Sequence, residues 1–471
     1  MTDHDPTDNA ADNLTAEARR LTRAGRWRDA ERVIGRLIAG SFGLAVAAIE
    51  INRDRYSLNS LNGFATTTDG RAFFFKFHQE EGEADTVGEY YRAEVLRDAG
   101  FPVDLPLHAS GAVGRQILLY RRRGDPRFAD LCRAVELGDG DAAPLVEAQR
   151  ALDRLIGERY LATLHATDAA QLEAESIHRL FHARLVDPGH EHEPGGRLRR
   201  FYVDQVFRFP DATLPWRDLA DRRWRINGTA YRHTLRQLFE ESRERLRPRQ
   251  LAGHGAVVAH GDAHNANIWA EPADGGHRLV FFDPAFAGLH IPALLAEVKA
   301  TFHNIFAHPL WLYDAPLADQ RFHAEVTATD DIIDVRTDWQ LSPLRSEFLA
   351  CKAALVWQPL LAALQARGWL PADWRRIVRC ALFCCPTLVM DLRAGGGADH
   401  TPVTSAIGFA VAVMMGSEPK DGSDTLSAAL DSIEPAVSRP PRSAAGRARS
   451  GTPRPRPRSG RNRRRSSAAT G

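Results

Sequence analysis

The chain has 471 residues, of which 44% are hydrophobic and 26% are charged, and its formal net charge is +1. These values are ordinary for a globular protein of two or three domains, or for one two-lobed unit with a tail. The sequence has no run of eighteen uncharged apolar residues, which argues against a membrane span. Its five cysteines are few and odd in number, which argues against a disulfide framework and favours the reducing cytoplasm.

The charge is divided unevenly along the chain. Residues 438–471 contain eleven Arg and no acidic residue, so the remaining residues are net acidic. An acidic body favours a cationic or amino-bearing small-molecule partner, whereas an Arg-rich tail would suit nucleic acid or an anionic membrane surface. Four lysines occur, namely Lys76, Lys299, Lys352 and Lys420, so a lysine here needs a reason more than an arginine does.

The first elements predict a lobe of antiparallel strands over residues 15–120. Residues 1–14 are polar and are predicted to be disordered, and helical periodicity runs from Ala16 to Ala39. Two strands, Phe64–Thr68 and Arg71–His78, are joined by Asp69-Gly70, a dipeptide typical of tight hairpin turns.

Lys76 lies in the second strand of this hairpin, on the face opposite to Phe73, Phe75 and Phe77. A lysine in an apolar strand is costly unless its charge is paired, and a phosphate group would supply the partner. Glu89, on the following predicted helix, can hold this lysine in place. The alternative is an edge-strand lysine that prevents aggregation.

The polar turn before the hairpin is a second candidate phosphate contact. Asn59 and Ser60 belong to it, and backbone N–H groups and hydroxyls in such a turn can cover phosphates. A plain hairpin loop is an equally good interpretation, because no Walker-type glycine-rich motif occurs anywhere in the chain.

The basic run at residues 121–124 predicts a hinge to a mainly helical lobe over residues 121–417. Residues 170–250 are predicted to be mostly helical, with a loop at 187–196. Residues 418–471 are predicted to be a linker and a disordered tail rich in Arg, Pro and Ser, because this composition cannot bury enough apolar surface to fold. The predicted fold class is therefore α+β.

The segment from Val257 to Asp283 carries the clearest chemistry. A short apolar strand leads to a polar loop with Asp262 and Asn267, and a later strand ends at Asp283. A carboxylate can accept the proton of an attacking hydroxyl group, and an amide and a carboxylate oxygen can hold Mg²⁺ beside phosphates. These residues in this order are those that phosphoryl transfer from a magnesium nucleotide requires.

The same loop permits a different interpretation. His260, Asp262 and His264 stand at alternate positions and could hold Zn²⁺ or a two-metal centre in a metal-dependent hydrolase. Such a site needs further ligands, and the sequence offers no second cluster at a strand end.

The sequence from His260 to Asn267 resembles the H-G-D-x-H-x-x-N motif of the aminoglycoside phosphotransferase and choline kinase family, which has a two-lobed protein-kinase-like fold. The resemblance implies that Asp262 is the catalytic residue and that His260 braces its loop. It further implies that Asn267 and Asp283 bind Mg²⁺, and that Lys76 and its partner Glu89 serve ATP or GTP. The acceptor would be a hydroxyl group of a small molecule.

The chain departs from this family at Leu294. Family members have an Asp here that anchors the loop, and Leu294 cannot accept those hydrogen bonds. Glu297 is the predicted substitute anchor. The departure also leaves open a catalytically inactive, nucleotide-binding scaffold.

Overall fold

The computed structural model describes residues 13–52, 60–78, 92–307 and 314–435. Two predicted site residues, Asn59 and Glu89, lie outside the described residues, as do residues 1–12 and the Arg-rich tail from residue 436. Ser60 begins a strand, but its side chain is likewise outside the description.

The sheets are built from the following strands of the described residues. They are β1 (Val46–Ile51), β2 (Ser60–Thr67), β3 (Ala72–His78), β4 (His108–Ser110), β5 (Ile117–Arg121), β6 (Val186–Asp187), β7 (His190–Pro194), β8 (Val206–Phe209), β9 (Ala212–Pro215), β10 (Arg223–Ile226), β11 (Thr229–Ala230), β12 (Ala256–Ala259), β13 (Ile268–Ala273), β14 (Gly276–Phe281), β15 (Gly288–Pro292), β16 (Ala324–Ala328) and β17 (Ile332–Thr337).

Helices cover more residues than strands do in the described chain after β5. The α-helices are Leu14–Arg23, Trp27–Phe42, Ala93–Asp98, Phe128–Glu136, Ala143–Thr163, Ala169–Glu173, Gly196–Phe201, Trp216–Leu219, Leu235–Arg245, Val298–Thr301, Ala315–Arg321, Pro343–Lys352, Gln358–Ala366, Trp374–Val389, Pro402–Gly416 and Thr425–Ser432. Single turns of π-helix at Phe302–Phe306 and Ala353–Trp357 continue two of them.

The N-terminal sheet is antiparallel and has the strand order β1-β2-β3-β5-β4. The predicted alternation in β3 is confirmed, because Phe73, Phe75 and Phe77 are buried in a core that this sheet shares with the two leading helices. Lys76 therefore points to the opposite face. There it stands in register with Asn62 on β2 and Leu118 on β5.

The predicted single leading helix is wrong, because the chain breaks it into two helices at Gly25. This glycine has a φ of +69°, a backbone conformation that residues other than glycine rarely adopt. The first helix begins at Leu14, where the Asn13 side chain accepts a hydrogen bond from the N–H of Ala16 at 2.9 Å. Asn13 and Leu14 are thus ordered, so the predicted disorder of residues 1–14 is wrong for the last two of these residues.

The second core is larger and is built mainly from helices. A 24-residue helical stretch, Pro343–Ala366, is long and apolar enough to cross a membrane, but it packs in this core. The stretch also carries two buried cations, which pair with carboxylates of the core. Arg345 forms an ion pair with Glu136, and Lys352 donates to Asp153 at 2.5 Å and to Glu297 at 2.8 Å. The sheet lobe followed by a mainly helical region confirms the predicted α+β fold class.

Two stretches differ from the sequence predictions. Between residues 170 and 250, the hairpin β8–β9 and the strands β10 and β11 interrupt the predicted helices, and the hairpin β6–β7 occupies the predicted loop. Near the C-terminus, Thr425–Ser432 forms a helix capped by Asp424, where a linker was predicted. Its Leu426 and Leu430 are buried, and this apolar contact with the helical core explains why the residues up to 435 fold.

Candidate active site

The segment His260–Asn267, hereafter the Asp262 loop, begins where the buried strand β12 ends. Gly261 has a φ of +77°, and a Cβ at this position would lie 2.5 Å from the carbonyl oxygen of Phe286. Only glycine allows this turn and this close approach of two backbones. The loop closes with a turn of 3₁₀-helix at Asn265–Asn267, which leads directly into β13.

His260 fastens the start of the loop to the strand beside it. Its Nε2 lies 3.0 Å from the carbonyl oxygen of Phe282, and its Nδ1 accepts a hydrogen bond from the backbone N–H of Asp262 at 3.3 Å. Both contacts fit one neutral tautomer with the proton on Nε2. Burial lowers the pKa of His260, which keeps the ring neutral. The geometry is that of the brace that the resemblance implies.

Asp262 lies at the centre of a group of basic side chains. The Lys299 Nζ is 3.6 Å from its Oδ1, and the His264 Nε2 is 3.8 Å from its Oδ2. Burial raises the pKa of Asp262. The charges of Lys299, His264 and His260 outweigh this effect, so the pKa of Asp262 is lowered overall. The side chain is therefore a carboxylate at neutral pH. Its Oδ1 is buried and accepts no protein hydrogen bond.

Asn267 and Asp283 face the same cleft from the open end of the β13–β14 hairpin, where β13 begins and β14 ends. The Asn267 Nδ2 donates to the carbonyl oxygen of Asp262 at 3.1 Å, which sets the direction of its amide oxygen. Asp283 has a φ of +56°, a left-handed conformation that is uncommon for a residue other than glycine. Such backbone strain is often found where a side chain must reach into a site.

Lys76 closes the cleft from the sheet side. Its ammonium forms an ion pair with the Oδ2 of Asp283, and both residues line the cleft together with Asp262 and Asn267. The structure thus brings together five of the eight predicted site residues, Lys76 and His260 among them. It describes nothing of the side chains of Asn59, Ser60 and Glu89, so their assigned roles stay predictions.

The cleft has a volume of about 400 Å³ and lies between the sheet and the helical region. Aromatic side chains line one part of it, and basic side chains line another. The aromatic part is formed by Phe64, Phe74, Tyr120, Trp269 and Phe282, and the basic part by Arg184, Arg197 and Lys299 together with His264 and His303. Trp269 and Phe282 are stacked, with their ring centroids 4.2 Å apart.

Asn304 holds the Asp262 loop, a role that the sequence did not predict. Its Oδ1 accepts from the N–H of Asn265 at 2.7 Å, and its Nδ2 donates to the carbonyl oxygen of Ala263 at 3.4 Å. Arg345 in turn donates to the Asn304 carbonyl at 2.7 Å. Asn304 lies in the π-helical turn Phe302–Phe306, and such turns recur at functional sites because they redirect side chains.

The predicted anchor Glu297 is wrong. Glu297 is fully buried and accepts from Lys352 at 2.8 Å and from the Tyr160 hydroxyl at 2.6 Å, within the helical core. Leu294 is also buried in that core. The amide of Asn304, ten residues after Leu294, therefore holds the Asp262 loop through its backbone.

Lys299 is the second residue that sequence reasoning missed. Its Nζ donates to the Nε2 of His303 at 2.9 Å, and it is 3% exposed. The scarcity of lysine in this chain was the available signal, since three of the four lysines are buried in the structure.

The His260, Asp262 and His264 metal cluster does not form. Both ring nitrogens of His260 are occupied by backbone groups, so neither can bind a metal ion. Across the described ranges, no group of three or more His, Cys, Asp or Glu side chains has the arrangement of a metal site. The geometry thus speaks against the hydrolase interpretation.

No protein-family model matches the chain, and no curated protein matches its sequence. Solved structures that match include spectinomycin phosphotransferase APH(9)-Ia in complex with ADP and spectinomycin, at 10% identity and a TM-score of 0.37, over 81% of this chain and 98% of that one. Macrolide 2'-phosphotransferase MphH from Brachybacterium faecium matches at 13% identity and a TM-score of 0.30, over 75% and 98%.

The GDP and kanamycin complex of APH(2")-IIia matches at 11% identity and a TM-score of 0.31, over 74% of this chain and 88% of that one. Phosphotransferases are thus among the structures that this chain is similar to, as the motif resemblance predicts. The chemistry of this chain rests on its own side chains.

Proposed function

We propose that the chain is a phosphotransferase that moves the γ-phosphoryl group of ATP or GTP to a hydroxyl group of a small molecule. One observation carries the proposal: Lys76, Asp262, Asn267 and Asp283 meet in a single cleft between a sheet and a helical region. Phosphoryl transfer needs a cation for the phosphates, hard oxygen ligands for a metal ion and a base for the acceptor.

The residues present fit Mg²⁺. Asn267 offers an amide oxygen and Asp283 a carboxylate, which are the hard ligands that this ion takes while keeping several waters. When bound, the ion would offset the negative charge of the phosphate oxygens. Lys76 contacts Asp283 and is therefore placed to meet a phosphate held near the same carboxylate.

Asp262 would act on the acceptor. Its carboxylate orients the hydroxyl group and accepts its proton as the hydroxyl oxygen forms a bond to the γ-phosphorus. The bond between this phosphorus and the oxygen bridging it to the β-phosphate breaks, and its electron pair leaves with the nucleoside diphosphate. Neutral His260 holds the backbone of Asp262, and Asn304 holds the backbone of Ala263 and Asn265 in the same loop.

The aromatic part of the cleft suits a nucleotide base. Phe74 and Tyr120 have their ring centroids 6.4 Å apart on neighbouring strands, and Trp269 lines the same cleft from β13.

Arg123 holds the segment between the two lobes by contacts with Asp104, Asp125 and Glu271. We assign the reaction to the cytoplasm, because all five cysteines are buried free thiols.

The test measures nucleotide binding through the melting temperature of the full chain. A ligand that binds the folded state at 100 times its Kd adds about 2.7 kcal/mol of stability. Mg-ATP or Mg-GTP should raise the melting temperature, and Asp283→Asn should abolish the part of this shift that depends on Mg²⁺. Asp274→Asn, an exposed turn position on the same hairpin, is the matched control and should behave as wild type.

Transfer itself is measured as nucleoside diphosphate release in the presence of hydroxylated acceptors. A chain that binds neither nucleotide would overturn the proposal. A chain that binds Mg-nucleotide, yet transfers nothing and is unaltered by Asp262→Asn, would instead be the nucleotide-binding scaffold.

A further inference from the structure

We propose that Lys299 is a second catalytic residue, whose ammonium holds the attacking hydroxyl oxygen of the acceptor together with Asp262. This inference rests on the proposed function and adds one residue to its chemistry. The motif that predicts Asp262 does not include Lys299, which lies in the helical segment 298–306. The carboxylate of Asp262 is the ion-pair partner of this ammonium, so the decisive property of Lys299 is the place of its N–H donors.

Lys299 and Asp262 leave room for one oxygen atom beside them. The Nζ of Lys299 is 3.6 Å from the Oδ1 of Asp262, which is too far for a direct hydrogen bond, and both residues line the cleft. Among the described residues, this buried Oδ1 has no hydrogen-bond donor. An oxygen atom about 2.8 Å from each of the two atoms completes a triangle with them. A hydroxyl group fits this place, because it donates to the carboxylate and accepts from the ammonium.

The helical segment 298–306 fixes where the ammonium stands relative to the Asp262 loop. Its residue Asn304 holds the backbone of that loop. Closer to Lys299, the Oγ1 of Thr301 accepts a hydrogen bond from the indole N–H of Trp357 at 2.9 Å, within the helical core. One segment is thus tied both to the core and to the loop. Lys299 and Asp262 therefore keep their separation without a direct hydrogen bond, as a site built in advance for a substrate atom requires.

His303 directs the ammonium with a single hydrogen bond. The Nζ of Lys299 donates to the Nε2 of His303 at 2.9 Å, and burial keeps the pKa of His303 well below its usual value, so the ring is neutral. An ammonium has three N–H donors, and a neutral imidazole accepts one of them without cancelling the positive charge. Position 299 carries one of the four lysines of the chain, and a compact ammonium suits this place better than a planar guanidinium.

Lys299 would act during the transfer without giving up a proton. Its hydrogen bond to the hydroxyl oxygen leaves a second lone pair to attack the γ-phosphorus, while the hydroxyl proton goes to Asp262. The positive charge of Lys299 stabilises the negative charge that the attacking oxygen gains as this proton leaves. Lys76 acts on different atoms, because it lies against Asp283 on the sheet side of the cleft. We therefore assign Lys76 to the phosphates and Lys299 to the acceptor oxygen.

The first measurement is turnover of Mg-ATP and Mg-GTP by the full chain, with water alone and with glycerol, glucose or ethanolamine as the acceptor. Lys299→Met should lower kcat about 10-fold to 100-fold, the range of one hydrogen bond to a charged group, while KM for the nucleotide changes less than about threefold. Lys299→Arg should recover part of the rate. Lys420→Met, the same change at an exposed lysine, is the matched control. Lys299→Gln takes the place of Lys299→Met if melting temperatures show that the latter does not fold.

The pH profile of kcat shows whether Lys299 touches the attacking oxygen or only keeps Asp262 ionised. In the second case, Lys299→Met raises the pKa of Asp262, so the acid limb moves to higher pH and the plateau above it reaches the wild-type value. A hydrogen bond to the attacking oxygen predicts instead a plateau that stays about 10-fold to 100-fold below that of the wild type.

A binding measurement addresses the same contact without turnover. Aluminium fluoride together with Mg-ADP or Mg-GDP imitates the transferred phosphoryl group, with a water molecule at the place of the attacking oxygen. It should tighten binding of the diphosphate to the wild-type chain. Lys299→Met should remove about 10-fold or more of this tightening and leave binding of the diphosphate alone unchanged.

Three results overturn the role of Lys299 alone. They are wild-type turnover in Lys299→Met, a kcat plateau that recovers fully at higher pH, and equal weakening of the diphosphate with and without aluminium fluoride. The last result would place the lysine at the nucleotide. A wild-type chain that binds neither nucleotide, or binds one without any turnover, overturns the proposed function and the role of Lys299 with it. The two failures are therefore distinguishable from the wild-type measurements.

Discussion

Two lysine–aspartate contacts stand at the two sides of the cleft, and they differ in what surrounds them. Lys76 in β3 contacts Asp283 directly, next to aromatic side chains and the proposed metal ligand Asn267. Lys299 lies 3.6 Å from Asp262, beside arginines and neutral histidines. The first contact suits a nucleotide and a metal ion. The second suits a general base, because the nearby ammonium helps to keep the carboxylate of Asp262 ionised. We therefore propose that the same two residue types serve different steps because of their neighbours.

The largest expected effect separates the two aspartates. Asp262→Asn removes the base and should lower kcat by about 10²-fold to 10⁴-fold, with nucleotide affinity unchanged. Asp283→Asn should instead weaken Mg-nucleotide binding. Steady-state kinetics and nucleotide titrations measure both, with exposed Asp274→Asn as control. Loss of nucleotide affinity in Asp262→Asn, with Asp283→Asn affecting kcat alone, would reverse the assignment of the two sides.

A third buried lysine tests whether the two lysines of the cleft differ from a lysine that is only part of the core. Lys352 contacts two buried carboxylates, Asp153 and Glu297. Burial lowers the pKa of Lys352, but these carboxylates raise it overall, so the ammonium stays charged. Lys352→Met would leave both carboxylates buried without their cation and should lower the free energy of unfolding by about 3–5 kcal/mol.

Chemical denaturation measures the effect of Lys352→Met. Lys420→Met is the matched control, because this lysine is exposed and its replacement should change the free energy of unfolding by less than about 0.5 kcal/mol. Equal stability of the two variants would mean that the core does not depend on Lys352. A loss of stability would separate this structural lysine from the two in the cleft.

The sequence was sufficient for one side of the cleft because the information there is local. Asp262 and Asn267 stand in one loop, and Asp283 ends a strand, so spacing alone indicated their shared site. Alternation in β3 likewise placed Lys76 on the face away from the core. The two-lobed fold followed from the same patterns together with the family resemblance.

The other side could not be predicted in this way. Lys299 and Asn304 reach the Asp262 loop because a short helix continues as a π-helical turn, which shifts the faces of residues 298–306. Glu297 was the expected anchor on the basis of spacing, but it points to Lys352 in the core. Such positions depend on packing between distant segments.

Asn304 gives the next smaller effect, since it acts by positioning the Asp262 loop. Asn304→Ala leaves the N–H of Asn265 without its acceptor and should lower kcat about 10-fold to 100-fold, with KM for the nucleotide changed less than about threefold. Asn304→Asp keeps an acceptor oxygen and should recover part of the rate. Equal losses in kcat and in nucleotide affinity would show that the variant disturbs both sides of the cleft and is not specific to the loop.

The smallest expected effect concerns the pH at which the Lys299 side loses its charge. Burial, Arg184 and Arg197 lower the pKa of Lys299, and Asp262 only partly offsets them. His303 stays neutral because its pKa lies far below the usual value, and burial raises the pKa of Cys385 to about 12. Lys299 therefore loses its charge at a lower pH than an ordinary lysine does.

The direction of the effect follows from the charge that Lys299 adds to the cleft. Lys299 is protonated below its pKa, so the cleft loses one positive charge as the pH rises through that lowered pKa, and kcat/KM for the anionic nucleotide should show a falling limb there. Lys299→Arg keeps its charge at every accessible pH and should remove this limb. A limb of the same size in Lys299→Arg would assign it to the nucleotide or to another side chain of the cleft, and Lys299 would then have no part in the pH dependence.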